Sequence, residues 1–291
     1  MTAQKNARSG RPKSAFVDVF QRMLKNKGAT IGLIIFLLIV LASLFAPLLT
    51  PYTPTQMDMM NIHKGPSAKH WFGTDIMGRD IFTRILYGGR YSLMLGISAT
   101  LVGSAVGIII GCVAGYFGGV TETVLMRFMD VWSSIPGQMM AIIISAVLGG
   151  SFVNTVIALS IGRVPGSARM IRGQILAERK KEYIEAAKAL NISNASIMFR
   201  HILPNVISPM IVSMTMSIGG TITMAAGLSY IGLGVQPPTA EWGALLSDAR
   251  SYISSYPYMM IFPGLAIMLT VLAINMMGDG LRDALDPKMR A

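Results

Sequence analysis

The residues able to do chemistry in this chain are few, and their spacing argues against catalysis. A nucleotide-phosphate cradle needs Gly-x-x-x-x-Gly-Lys-Ser/Thr, so that backbone amides and a lysine surround the phosphates. The chain contains no Gly-Lys pair at all. It also lacks the Gly-x-Ser-x-Gly elbow of a nucleophilic serine and the His-Glu-x-x-His spacing of a zinc helix. His63, His70 and His201 are its three histidines, and they have no metal-ligand spacing. Its one cysteine, Cys112, stands in an apolar run and can build neither a disulfide nor a multi-cysteine metal site. The expectation is a protein with no catalytic residues, no metal ligands and no cofactor of its own.

The remaining charged positions are informative by place. Arg127 and Asp130 are three apart, so on a helix they can pair on one face, as a structural ion pair or a gate. Arg163 lies two residues before Pro165, where snorkelling to a membrane surface would explain it. Asp75, Asp80, Glu241 and Asp248 can meet a cationic solute group or a basic partner face, or simply remain solvated.

The elements that hold these residues are membrane helices. Hydrophobic residues make up 52% of the chain and charged residues 13%, against roughly 25% charged in soluble domains; mean hydropathy is +0.54. The net charge of +11 does not indicate nucleic acid, because the basic residues cluster beside apolar segments and are not interleaved with aromatics. Spanning a bilayer takes about 20 apolar residues, and six stretches meet that length: 29–49, 91–117, 124–148, 152–170, 206–232 and 257–278. In the fourth, Asn154, Arg163 and Pro165 predict a helix that ends or kinks near Pro165. The first follows a basic leader holding Lys5, Arg8, Arg11, Lys13, Arg22, Lys25 and Lys27, but it exceeds the roughly 7–15 residues of a signal-peptide core and reads as an uncleaved anchor.

This gives an all-α integral membrane protein. Its expected parts are a leader at 1–28, an anchor helix at 29–49, an outer loop at 50–90, a core at 91–281 and a tail at 282–291. Lys and Arg placement puts the leader, the 171–205 connection and the tail on the cytoplasmic side, so both termini are expected inside. Gly103, Gly107, Gly111 and Gly115 recur every four residues in the second stretch and permit close helix approach, within one bundle or against a second subunit. No internal repeat is evident, which weakens a reading as a secondary transporter built from inverted halves.

Between the fourth and fifth stretches, residues 175–209 are too long and too helical for a simple loop. Tyr183, Ala186, Ala187 and Leu190 are spaced as one apolar stripe, with Glu178, Lys181, Glu182 and Lys188 largely off it. Asn191 stops that helix, and Ser193 or Asn194 caps a second one running to Leu203 and Pro204. Two short helices meeting at a turn make a compact knob suited to a partner's groove.

This segment resembles the EAA loop of ABC importer permeases. Glu185, Ala186, Ala187, Ile202, Leu203 and Pro204 match that pattern, and Asn191 stands where the family has glycine, a mild change because both accept positive φ. From about Lys25 onward the chain is similar to the C-type peptide and nickel permeases, as in dipeptide and oligopeptide permeases. The similar segments are Phe72 to Asp80 (FGTDIMGRD), Arg127 to Pro136, Tyr230 to Gly243 and the ending GDGLRDALDP. The resemblance implies a type I permease fold and a homologous B-type permease partner. It also implies two ATPase subunits that bind ATP and Mg, a membrane-lipid setting in a bacterial inner membrane, and an extracytoplasmic solute-binding protein. Glu185, Ala186, Ala187, Lys188, Leu190, Asn191, Ile202, Leu203 and Pro204 would then couple to the ATPase, and Asp75, Arg79, Asp80, Glu241 and Trp242 would face outward for the binding protein. Peptide is the expected cargo, with nickel or a metal chelate as the alternative within the family and a stand-alone secondary transporter as the alternative outside it.

Overall fold

The computed structural model describes residues 15–285. The leader's Lys5, Arg8, Arg11 and Lys13 and the tail beyond Leu285 lie outside the described residues. The helices in chain order are α1 (Ala15–Met23), α2 (Lys27–Leu44), α3 (Ala46–Leu49), α4 (Ile81–Phe117), α5 (Gly119–Ser133) and α6 (Gly137–Leu148). They continue with α7 (Phe152–Glu178), α8 (Glu182–Ala189), α9 (Asn194–Ser196), α10 (Leu203–Tyr230), α11 (Trp242–Ala249) and α12 (Tyr258–Leu285). The described residues contain no strand beyond an isolated bridge between Thr74 and Asp80.

The longest element, α4, begins at Ile81, well before the apolar run expected at 91. Asp80 explains the early start, since its Oδ1 accepts from the Thr83 backbone N–H at 2.7 Å and satisfies an otherwise orphaned donor. At 37 residues α4 spans about 55 Å at 1.5 Å per residue, well beyond a hydrocarbon core of about 30 Å. It therefore ties together two regions far apart in space. Beside it lies α7, whose contact is the most extensive between any two helices of the bundle.

The glycine row makes that contact. A Cβ on Gly103 would lie 2.5 Å from the Ser160 carbonyl oxygen, one on Gly107 2.7 Å from that of Val164, and one on Gly111 2.3 Å from that of Ala168. The α4 and α7 backbones thus touch where any side chain would part them, and Ser160 Oγ donates across the seam to the Ala99 carbonyl at 3.1 Å. Gly103, Gly107, Gly111 and Gly115 are all buried inside this chain against α7.

Three expectations about spans are corrected. The stretch 124–148 is not one helix: α5 and α6 meet at a 78° bend. Pro136 lacks an N–H and restricts Ile135, so the helix cannot continue through that point. Conversely, α7 does not end at Pro165 but continues to Glu178, with neighbouring α4 packed along its length on both sides of the proline. Finally, among the described residues four helices, where six stretches were expected, are long and apolar enough to cross a membrane: α2, α4, the α9–α10 unit and α12. The bent α5–α6 pair makes a fifth if counted as one broken span. Arg163, Arg169, Arg172 and Glu178 account for the lower hydropathy of α7.

The first and last long helices are fastened to each other. A Cβ on Gly32 would meet the Ala273 carbonyl oxygen at 2.7 Å, and one on Gly280 would meet Ala29 Cβ at 2.1 Å. Asn26, which caps α2 through Ala29 N–H, also donates to Asp283 Oδ2 at 3.0 Å.

The glycine seam generates a direct test. Gly111→Ala forces a methyl against the α7 backbone and is expected to destabilise the protein by about 1–3 kcal/mol, the range for overpacking. Gly173→Ala, on the same helix pair but with nothing within 4 Å of the added carbon, is the matched control. Thermal unfolding in detergent checks the pair; equal midpoints for the two variants would contradict the seam.

Candidate functional site

The knob sits at the C-terminal end of α4. After Glu178 the chain turns sharply into α8, whose Ile184 and Ala187 are buried against Cys112 and Tyr116 of α4, Ile171 and Ile175 of α7, and Val206 and Met210 of α10. The docked face is therefore Ile184 and Ala187, not the stripe of Tyr183, Ala186, Ala187 and Leu190 read from spacing. Tyr183, Ala186 and Leu190 are exposed, because only Ile184 and Ala187 reach the core from this crossing. Glu185 and Lys188 also point away from the core, and Leu190 is 77% exposed.

Asn191 ends α8 in the left-handed region at φ +58°. Its N–H bonds the Lys188 carbonyl and the next N–H, of Ile192, returns to Ala187 at 3.2 Å, closing the helix. Ser193 Oγ then accepts from Ser196 N–H at 3.4 Å, and α9 passes through a π-helical segment, Ile197–Ile202, directly into α10. Ile202 is fully buried, Leu203 is half-buried, and Pro204 occupies the first turn of α10, where its missing N–H costs nothing. The second helix expected to stop at Leu203 is instead continuous with a membrane span.

Polar bonds stiffen this joint. Lys181 Nζ donates to Glu178 Oε1 at 2.9 Å, Tyr183 Oη donates to the same oxygen at 2.8 Å, and Asn205 Nδ2 donates to Tyr183 Oη at 3.0 Å. Arg179 donates to the Gly115 and Tyr116 carbonyls that end α4, and Tyr116 Oη donates to Asn194 at 2.7 Å. Burial pushes the Glu178 carboxyl up, but the bonds from Lys181 and Tyr183 outweigh it and hold its pKa below the ordinary glutamate value. The knob is thus bolted to α4, α7 and α10 together.

At the N-terminal end of α4 lies a buried charge network. Arg79 Nε and Arg84 Nη1 donate to Asp75 Oδ2 at 2.7 and 2.5 Å, and both arginines reach Asp248 Oδ2, at 3.1 and 3.0 Å. Asp80, besides capping α4, bonds His70 Nδ1 at 2.9 Å. Glu241 caps α11 through Ala244 N–H and accepts from Ser92 Oγ at 2.9 Å, while Trp242 Nε1 donates to the Ile85 carbonyl. Asp75, Arg79, Asp80, Glu241 and Trp242 are each less than 5% exposed. The expectation that they face outward as partner contacts is corrected: they turn inward, where two carboxylates pair with two guanidinium groups, while Arg84 Nε and Nη2 stay buried without a hydrogen-bond partner. Arg84 and Ser92 are the members that sequence reasoning missed. Arg84, one turn after the cap residue Asp80, was the available signal.

The third charged group also differs from expectation. Asp130 accepts from Arg169 Nη1 of α7 at 2.9 Å and not from Arg127; Arg172 of α7 likewise pairs with Glu122. The crossing of α5 over α7 brings these partners closer than the helix-face neighbour. Among the described residues no group of three His, Cys, Asp or Glu side chains is placed to hold a metal.

Comparison with known proteins decides what this assembly belongs to. Residues 107–291, more than half of the chain, match the family model described as binding-protein-dependent transport system inner membrane component. The chain belongs to this family. Residues 14–66 match the N-terminal transmembrane domain of oligopeptide transport permease C. Among its relatives, the dipeptide transport system permease protein DppC of Alkalihalophilus pseudofirmus is 46% identical over 278 residues, covering 96% of this chain and 91% of that protein. The glutathione transport system permease protein GsiD of Pectobacterium atrosepticum is 43% identical, covering 94% and 91%. A solved inward-facing MetNI methionine ABC transporter superposes with a TM-score of 0.55 at 17% identity, covering 70% of this chain and 97% of that one, so the permease shares the importer fold. As a multi-pass membrane permease of this family, the chain departs from the reading of a stand-alone secondary transporter.

Both ends of α4 yield tests. Asp75→Asn leaves the two buried cations Arg79 and Arg84 to share the single carboxylate of Asp248, and is expected to cost about 3–5 kcal/mol in detergent unfolding, as for other broken buried pairs. Asp248→Asn, with a partner set that is 18% exposed at the carboxylate, should cost less. For Glu178 the folded pKa is depressed, so its stabilisation is full above the ordinary glutamate pKa and disappears as pH falls through the lower folded value. Proteolysis between α7 and α8 should rise across that acidic window in the native permease, and Glu178→Gln should remove the pH dependence.

Proposed function

We propose that this permease is the C-type half of an ATP-driven importer of di- and oligopeptides. In this reading it lies in a bacterial inner membrane with both termini cytoplasmic, beside a homologous B-type permease. Two ATPase subunits bind ATP and Mg, and an extracytoplasmic binding protein delivers the peptide. The basic residues near α1 and along 171–205 support that orientation, since loops rich in Lys and Arg are retained inside. The dipeptide and glutathione names of the relatives support the cargo class.

The observation that carries the mechanism is the docking of α8. Its inward Ile184 and Ala187 are locked into the same core as α4, α7 and α10, and its outward Glu185, Ala186, Lys188 and Leu190 are left for a groove on the ATPase. Asn191 fixes the turn, and Ile202, Leu203 and Pro204 join the knob to α10. A push on such a knob cannot be absorbed locally. It is transmitted as a rigid-body tilt of the helices to which the knob is bolted, one route by which bundles switch between two packings.

Glu185→Lys is expected to lower ATPase copurification and peptide-stimulated ATP hydrolysis about 10-fold, the scale of a lost charged contact at an interface, while membrane insertion stays intact. Unchanged hydrolysis in that variant would remove the knob from the coupling path. Uptake of nickel but not peptide by the wild-type complex would replace the cargo assignment.

A further inference from the structure

Among the described residues, Arg163 is a cation inside the bundle with no anion to match it. It lies 15 residues from the end of α7 at Glu178, about 23 Å at 1.5 Å per residue. Its contacts agree on that depth. Nε donates to Ser104 Oγ of α4 at 2.9 Å and Nη2 to the Ser213 carbonyl of α10 at 3.4 Å, positions about 20 and 15 Å from the knob ends of their helices. No carboxylate pairs with it among the described residues. Of the helices that pack on α7, α4, α6 and α10 contain no Asp or Glu, the Glu122 and Asp130 of α5 pair with Arg172 and Arg169, and Glu178 is committed to Lys181 and Tyr183. Nη1 makes no bond within the chain and is not sealed from open space.

A cavity of about 660 Å³ with a mixed lining reaches it through Ser213. Ser213, Ser217, Gln174, Asn205 and Ser208 put hydroxyl and amide groups on one part of its wall from the Arg163 level toward the knob end, Arg282 adds a second cation, and methionine and other aliphatic side chains line the rest. Hydroxyls and a guanidinium at this depth are costly in lipid, and such groups line the routes of polar solutes. An arginine held by two fixed bonds with one donor edge left over is pre-oriented for an anion of planar geometry.

We propose that Arg163 binds the carboxylate of the transported solute partway across the bundle, and that the cavity lined by Ser213, Ser217 and Gln174 is this subunit's share of the inward exit route. The proposal rests on the import reading above and adds to it an anionic requirement, with the terminal carboxylate of a peptide as the group recognised. Arg163 supplies attraction inside the bundle, and Arg282 at the far end of the cavity supplies a second cation toward which the carboxylate can leave.

The test uses the complete complex in proteoliposomes, with binding protein saturated, and compares a labelled dipeptide with the same dipeptide amidated at its C-terminus. Arg163→Gln is expected to lower uptake of the free acid about 10-fold, the scale of a charge-assisted hydrogen bond lost from a dry site, and to leave amide uptake nearly unchanged. Arg163→Lys keeps the charge but not the fork, and should retain an intermediate preference for the acid; it also carries the test if the glutamine variant fails to assemble. Equal losses for acid and amide in either variant overturn the proposal. So does selective loss of the partner permease from the purified complex, which would place the missing carboxylate on that subunit. A wild-type complex that imports neither peptide contradicts the importer reading itself, whereas peptide import with an unchanged acid-to-amide ratio in both variants contradicts only the role of Arg163.

Discussion

Backbone-to-backbone contact between α4 and α7 is the constraint from which the rest of the architecture follows. In a bilayer, burying apolar side chains gains little, since lipid is as apolar as leucine, and helices associate through close packing. The buried glycines of α4 allow contact at 2.3–2.7 Å from where their missing Cβ atoms would stand. Because that seam runs along most of α4, it fixes the angle of α7 and thereby the place where α7 ends. The knob begins where α7 ends, so its position is set by glycines far from it in the sequence.

The two ends of α4 are rigid for different reasons. At one end, four charged side chains neutralise each other out of solvent. Such a network gains little net stability, because desolvation opposes the attraction, but it penalises any arrangement that separates the members. At the other end, aliphatic packing and the bonds around Glu178 and Arg179 do the same work with less charge. Between them α4 behaves as one stiff rod. The α5–α6 pair is the contrast: its sharp bend at Pro136 and its exposed pairs with α7 form a softer flank of the same bundle.

The knob was legible in the sequence because its signals are local. Asn191 as a stop, Ser193 as a cap and Pro204 in a first turn each depend on a few neighbouring residues, and each stands as read. The charged residues near Asp75 were misread because their partners are distant along the chain: Asp248 meets Arg79 and Arg84 across more than 160 residues, and a carboxylate with an unseen partner looks like a solvated one. Asp130 failed in the same way, with Arg169 outcompeting the neighbour three residues back. Pro165 and Pro136 show the limit of a residue rule. The same ring breaks a helix at the α5–α6 junction and is accommodated in α7, where α4 packs along both sides.

The fastening of α2 to α12 carries a consequence for biogenesis. α2 has its principal seat, at Ala273, Met276 and Gly280, on α12, which is far later in the sequence. Synthesis runs from the N-terminus, so α2 is made well before its seat exists, and this part of the bundle can close only after α12 has been added. Until then the glycine-lined face of α2 has no partner to cover it.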